Sequence, residues 1–233
     1  MDPRQLFIDE RLTGRCVHCG GQPSTRDHVP SKVFLDEPYP PDLPVADACE
    51  MCNASFSLDE QYLSCFIECV VWGTAEPVGL QRPKVKRILG DNSKLRYRIQ
   101  SSKRLDVAGN LLWDLEIDRV RNVILKLARG HAAYELYAKA EDPAQVEFYP
   151  LLALSDQQRK DFEDIDSGEL AGLPEIGSRA FFRASGSEPD TFGRWGSWVI
   201  VQPGRYRYAV DETGGVLVRI VLSEYLACKV CWE

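Results

Sequence analysis

At 233 residues, with 44% hydrophobic residues and a net charge of -7, the chain can bury a substantial core in one or two domains. No apolar run approaches the length that spans a bilayer, which excludes an integral helical membrane protein, and the acidic total argues against a surface that is basic throughout. The opening Met1–Gln5 lacks the basic and apolar regions of a secretory leader, so a cytoplasmic protein is expected, its eight cysteines thiols and metal ligands rather than disulfides.

In chain order, Arg26 to Leu35 predicts short extended segments around a turn, with Val29, Val33 and Phe34 as β-compatible bulk. Asp36 to Pro44 carries four prolines and must be a loop, because proline lacks a backbone donor. Ser57-Leu-Asp-Glu60 has the form of a helix capping box. It precedes Leu63, Phe66, Ile67 and Val70, spaced as one helical face that Gly73 and Pro77 end. Leu95 to Ile99 alternates like a strand, with Asn110 to Ile117 as its hairpin partner across Val107–Gly109. From Asp118 a helix is predicted, since Val120, Ile124, Leu127, His131, Tyr134 and Ala138 recur every three or four positions. Ser155 caps a short polar helix reaching Ile165. Ala180–Arg183, Ser197–Gln202, Arg205–Val210 and Val216–Leu222 then read as an antiparallel meander, with turns at Pro203-Gly204 and Gly214-Gly215.

Chemistry concentrates near the start. Two Cys-x-x-Cys knuckles, Cys16/Cys19 and Cys49/Cys52, lie about thirty residues apart, and such pairs together hold zinc tetrahedrally. A closed four-sulfur site has no open position for catalysis. Asp27-His28 between the knuckles has the types that catalysis needs: a histidine able to take a proton from water, and a carboxylate able to hold a hard cation. Asn53, directly after the last cysteine, can offer an amide oxygen to the same cation. The plainer reading of the Asp-His pair is structural.

This series, Cys-x-x-Cys, Asp27-His-Val-Pro30, Cys-x-x-Cys-Asn53, resembles the zinc-containing branch of the HNH endonucleases over roughly the first sixty to seventy residues. The resemblance implies a ββα-metal, treble-clef-like module in which a hairpin and a helix clasp one catalytic divalent metal. His28 matches the general base, Asp27 and Asn53 the ligands of Mg²⁺ or Mn²⁺, and Cys16, Cys19, Cys49 and Cys52 the structural Zn²⁺ ligands. The middle Asn of the family's signature has no counterpart between His28 and Cys49; Asp42 and Asp47 are its candidate substitutes. Asp59 and Glu60 are further candidate ligands, though helix-start chemistry explains them more simply.

From Gln81 to Arg104 nine basic residues face a single acid, Asp91. Arg82, Lys84, Lys86, Arg87, Arg96 and Arg98 are the candidate nucleic-acid contacts, against the bland reading of a solvated hairpin face. Cys65/Cys69 and Cys228/Cys231 are either a second zinc set or, for the helical pair, core packing. His131 reads as a core or interface histidine, and His18, inside the first knuckle, is poorly placed for catalysis. Trp195, Trp198, Tyr206 and Tyr208 suit either base stacking or a sheet core.

The expectation is therefore an α+β chain: an HNH-like zinc module over residues 10–75, then a mixed domain over residues 76–233 ending in an antiparallel meander. The expected function is metal-dependent hydrolysis of DNA, with a protein partner of a bacterial defence system delivering the nuclease. The rival readings are a non-catalytic zinc-binding interaction module and an RNA-cleaving toxin using the same site.

Overall fold

The computed structural model describes residues 14–41, 43–136, 143–164, 178–180, 193–195, 198–212 and 215–233. The elements are β1 (Thr25–His28), β2 (Val45–Ala48), α1 (Glu50–Ser55), α2 (Ser57–Trp72), α3 (Pro83–Asp91), α4 (Ser93–Ser101), β3 (Lys103–Leu105), β4 (Leu111–Trp113), α5 (Ile117–Leu136), β5 (Gln145–Pro150), α6 (Asp156–Glu163), β6 (Gly193–Trp195), β7 (Trp198–Gln202), β8 (Tyr206–Asp211), β9 (Val216–Leu222) and β10 (Leu226–Trp232). The chain is mixed α+β, and among the described residues no helix is long and apolar enough to cross a membrane. It forms two compact units, one of Met1–Ser55 with Ile124–Glu233 and the other of Phe56–Val123.

In the first unit β1 and β2 pair antiparallel, with Asp27 opposite Ala46 and His28 opposite Val45. The loop between them starts and ends in register, because the Val29 N–H donates to the Pro44 carbonyl at 2.8 Å. The large sheet has the order β5-β10-β9-β8-β7-β6, antiparallel throughout. Successive side chains of a strand face opposite ways, and β8 shows what each face meets. Tyr206 and Tyr208 meet α5, where His131 Nε2 and the Tyr206 hydroxyl are 2.7 Å apart, Tyr208 stacks on the imidazole, and the Tyr208 hydroxyl donates to Glu135. Arg207 faces α6, where its guanidinium binds Glu163 at 2.7 and 2.8 Å and lies over the Trp198 ring. Beside it Leu151, Trp198, Ala209, Val221 and Ala227 form a core closed by Leu154 and Phe162.

The same length of α5 also reaches the hairpin. A Cβ on Gly130 would stand 2.8 Å from Cγ2 of Val29, so only glycine lets the helix pass the end of β1 this closely. Lys126, one turn earlier, projects to Asp27.

In the second unit Leu63, Phe66, Leu80, Val85, Leu89, Leu95, Ile99, Val120 and Val123 are buried. Glu68 on α2 accepts the N–H groups of Gln81 and Arg82 at 2.9 Å each. Its negative charge thereby sits at the N-terminus of α3, where the backbone dipole favours it.

The sheet strands over 198–202, 206–211 and 216–222, the capped helix α6 and the glycine stop of α2 match the sequence expectations. Ser155 and Gln158 form a reciprocal capping box, and Gly73 is left-handed with φ 69°. Other expectations fail for physical reasons. Leu95–Ile99 is helical rather than a strand: Leu95 and Ile99 are buried one turn apart, and Asn92 caps the helix by accepting the Leu95 N–H at 3.0 Å. The hairpin here instead pairs Lys103–Leu105 with Leu111–Trp113. Ser57 is no N-cap, because α1 runs almost directly into α2 and Phe56 takes the cap position without a side-chain cap bond. Cys228 and Cys231 lie within β10, where residues three apart face opposite sides, so they form no knuckle. Ala138, Ile165, Phe181 to Arg183 and Asp42 lie outside the described residues.

Candidate metal centre and the Asp27 pocket

The knuckle at Cys16–Cys19 turns through hydrogen bonds from Cys16 N–H to the Gly21 carbonyl (2.7 Å) and from Gly20 N–H to the Cys16 carbonyl (2.8 Å). Gly20 adopts φ 74°, a left-handed conformation that glycine takes without steric cost. The knuckle is pinned to β2 by Val17 N–H on the Asp47 carbonyl (2.9 Å) and Ser24 N–H on the Ala48 carbonyl (3.1 Å). Cys49 follows β2 and Cys52 lies in the first turn of α1, so the strand pairing itself brings the two knuckles together.

The four sulfur atoms lie within 4.8 Å of one another, and Cys19 and Cys49 are 3.8 Å apart. Tetrahedral Zn–S bonds of about 2.3 Å place sulfurs about 3.8 Å apart, so the cluster fits a metal ion such as zinc. Backbone N–H groups already point at two of the sulfurs, from Gly21 to Cys19 and from Cys52 to Cys49, each at 3.4 Å. Burial opposes a charge on Cys16, but hydrogen bonds from Cys49, Cys19 and His18 outweigh it and bring the thiol down to about 7. Cys52 moves upward, through burial first and then through the crowding thiols. A bound dication would resolve that conflict by drawing all four to thiolates.

Behind the cluster lies a second polar pocket. Asp27 is only 6% exposed, and both carboxylate oxygens are engaged. Lys126 Nζ lies 2.9 Å from Oδ1 and 2.8 Å from Oδ2, and His18 Nε2 lies 3.3 Å from Oδ2. The same ammonium donates to Ser31 Oγ. Burial alone would raise the Asp27 pKa, yet the bonds to His18 and Lys126 hold it below the usual carboxylate range. His18, the residue inside the first knuckle, thus links the cysteine cluster to Asp27.

His28 is half-buried at the end of β1. Burial, followed by the positive charge of Lys32, lowers its pKa against the opposing pull of Asp27. Strand alternation puts Thr25 and Asp27 on one face of β1 and Arg26 and His28 on the other. Asn53 meets the first of these faces, donating from Nδ2 to Thr25 Oγ1 at 3.2 Å. Asp47 accepts from the Gly14 N–H at 3.5 Å. Asp59 is held by Arg119 Nε at 2.6 Å and Asn122 Nδ2 at 2.8 Å. Among the described residues only Cys16, Cys19, Cys49 and Cys52 form a metal-competent group. Cys65, Cys69 and Cys228 are buried as free thiols.

Most of the basic segment lies on α3 and α4, with Lys103 and Arg104 on β3, and its members differ. Arg82 is buried, with Nη1 on Ser64 Oγ at 2.9 Å, so it leaves the exposed basic set. Arg87, Lys94 and Arg98 are exposed, and Lys84, Lys86 and Arg96 partly so. Arg98 pairs with Glu116 at 3.0 Å and Arg96 with Glu76 at 3.9 Å.

Two residues here escaped the sequence reading. Tyr97 is 74% exposed, between Arg96 and Arg98. Lys126 had one signal to offer: it stands three residues after Val123 and four before Gly130, bordering the apolar stripe of its helix. Comparison of the chain with known protein families, with curated proteins and with solved structures found no match.

Proposed function

We propose that the zinc-held hairpin is the nucleolytic module of an HNH-type endonuclease acting on DNA, with His28 as general base. The observation that carries this reading is the local assembly around β1. A hairpin and a following helix are clamped by four convergent cysteines, with Asp27-His28 at the end of the first strand. Burial and Lys32 lower the His28 pKa, which favours the neutral imidazole that a base must present near pH 7. In the reaction, a water oxygen attacks phosphorus in line as the P–O3′ bond breaks. His28 takes the water proton, the leaving oxygen takes one from solvent, and the products are a 5′-phosphate and a 3′-hydroxyl. Lys84, Lys86, Arg87, Arg96 and Arg98 supply contacts to backbone phosphates, and Tyr97 a ring on which a base can stack.

The resemblance also implies Mg²⁺ or Mn²⁺ on Asp27 and Asn53. Asp27 as arranged does not fit that ion, because both its oxygens are engaged by Lys126 and His18.

The same buried ion pair favours a second reading, a non-catalytic zinc-binding interaction module. Cleavage of supercoiled plasmid by the zinc-loaded protein, with and without Mg²⁺ or Mn²⁺ and beside His28→Ala, separates the two. Nicking that disappears in His28→Ala is expected. Nicking that survives the substitution sinks the role of His28, and intact plasmid under every condition selects the interaction module. Matched single-stranded DNA and RNA substrates report whether the sugar matters.

A further inference from the structure

The Asp27 pocket holds its own cation. Lys126 Nζ contacts both oxygens of the Asp27 carboxylate, at 2.9 and 2.8 Å, and also binds Ser31 Oγ. The two ionic side chains are only 3% and 8% exposed, and Ser31 is buried with them. Delivery of the ammonium is built into the fold. Lys126 lies 99 residues from Asp27 and one helical turn before Gly130, the position whose missing Cβ lets α5 close on Val29. His18 Nε2 completes the surround at 3.3 Å from Oδ2. An ammonium bridging both oxygens takes up the coordination that a divalent ion needs, and a second cation beside it would meet direct repulsion in a site shielded from water.

We infer that Lys126 occupies the cation position at Asp27, a tethered counter-ion in place of a divalent metal, so that this carboxylate accepts Mg²⁺ or Mn²⁺ only once Lys126 is removed. The inference rests on matching Asp27 to the metal ligand of the proposed nuclease module, and it does not depend on the chain cleaving anything.

The test titrates Mn²⁺ into the zinc-loaded full chain and follows binding by electron paramagnetic resonance. Unmodified protein and Asp27→Asn should bind Mn²⁺ equally weakly. Lys126→Met should bind at least about tenfold more tightly, a gain abolished in Lys126→Met/Asp27→Asn. A second measurement needs no substitution: with ¹⁵N-lysine, the Lys126 ammonium resonance should survive millimolar Mn²⁺ without paramagnetic broadening. Mn²⁺ binding that Asp27→Asn removes from otherwise unmodified protein, a folded Lys126→Met with no gain, or a broadened Lys126 signal would each overturn the inference. The two proposals fail separately. A chain that never cleaves DNA yet shows this Mn²⁺ pattern refutes the nuclease alone, and a chain that cleaves while binding Mn²⁺ through Asp27 refutes the tethered cation alone.

Discussion

Gly130→Ala sets two effects of known size against each other. In the interior of a helix the change from glycine to alanine ordinarily stabilises by about 0.5–1 kcal/mol, because the unfolded chain loses backbone freedom. At Gly130 the new methyl would stand 2.8 Å from Cγ2 and 3.1 Å from Cγ1 of Val29, distances that the carbons cannot hold. Val29 is 2% exposed and β-branched, so its χ1 is restricted and it has little room to turn away. Overpacking of this kind costs roughly 1–3 kcal/mol, which exceeds the helix gain. Net destabilisation of up to about 2.5 kcal/mol is expected in urea unfolding of the zinc-loaded protein. The sharper measurement is a cycle with Val29→Ala, which removes both offending methyls. In that background Gly130→Ala should become stabilising, reversing sign. Gly130→Ala that stabilises the unmodified protein, or that destabilises equally with and without the Val29 methyls, would refute the close approach of α5 to β1.

Two further outcomes are expected. The purified protein should carry one zinc per chain, and Cys49→Ser should lose the metal together with the hydrogen-exchange protection of the β1–β2 amides; full zinc retention in that variant would dissolve the four-sulfur site. Burial pushes the Cys65 and Cys69 thiols up to about 12, so at pH 8 only about one in ten thousand is a thiolate. Iodoacetamide should leave both unmodified in the folded protein and reach them in urea, whereas rapid native labelling would place them in a reactive environment.

The cysteine cluster was legible because a two-residue spacer acts locally: each knuckle closes on itself, and the sequence between the pairs had only to form a hairpin. The sheet strands were legible for the same reason, through their short-range alternation. Leu95-Arg-Tyr-Arg-Ile99 was not, since apolar residues four apart satisfy both a strand's alternation and a helix's turn. The decision came from Asn92, whose side chain caps the helix from outside the pattern. Strand β10 was hidden under a Cys-x-x-Cys spacing that reads as a metal knuckle. Arg82 looked like its basic neighbours until the fold buried it against Ser64. The least legible part was the environment of Asp27. Its type and neighbours suggest a metal ligand, whereas the partner that holds it lies on a helix far along the chain, and no local pattern encodes such a contact.

That separation gives the fold a history on the ribosome. The residues of the β1–β2 hairpin and all four cysteines of the cluster are made before any of Phe56–Val123, and Lys126 follows that whole unit. The gap of 99 residues between Asp27 and Lys126, at synthesis rates of about 5–20 residues per second, lasts roughly 5–20 seconds. Once Cys52 has been made, late in the first third of that interval, the nascent hairpin can gather a metal ion while Lys126 is still unmade. Closure of the pocket is a late event in the life of the chain, timed by translation of the segment between.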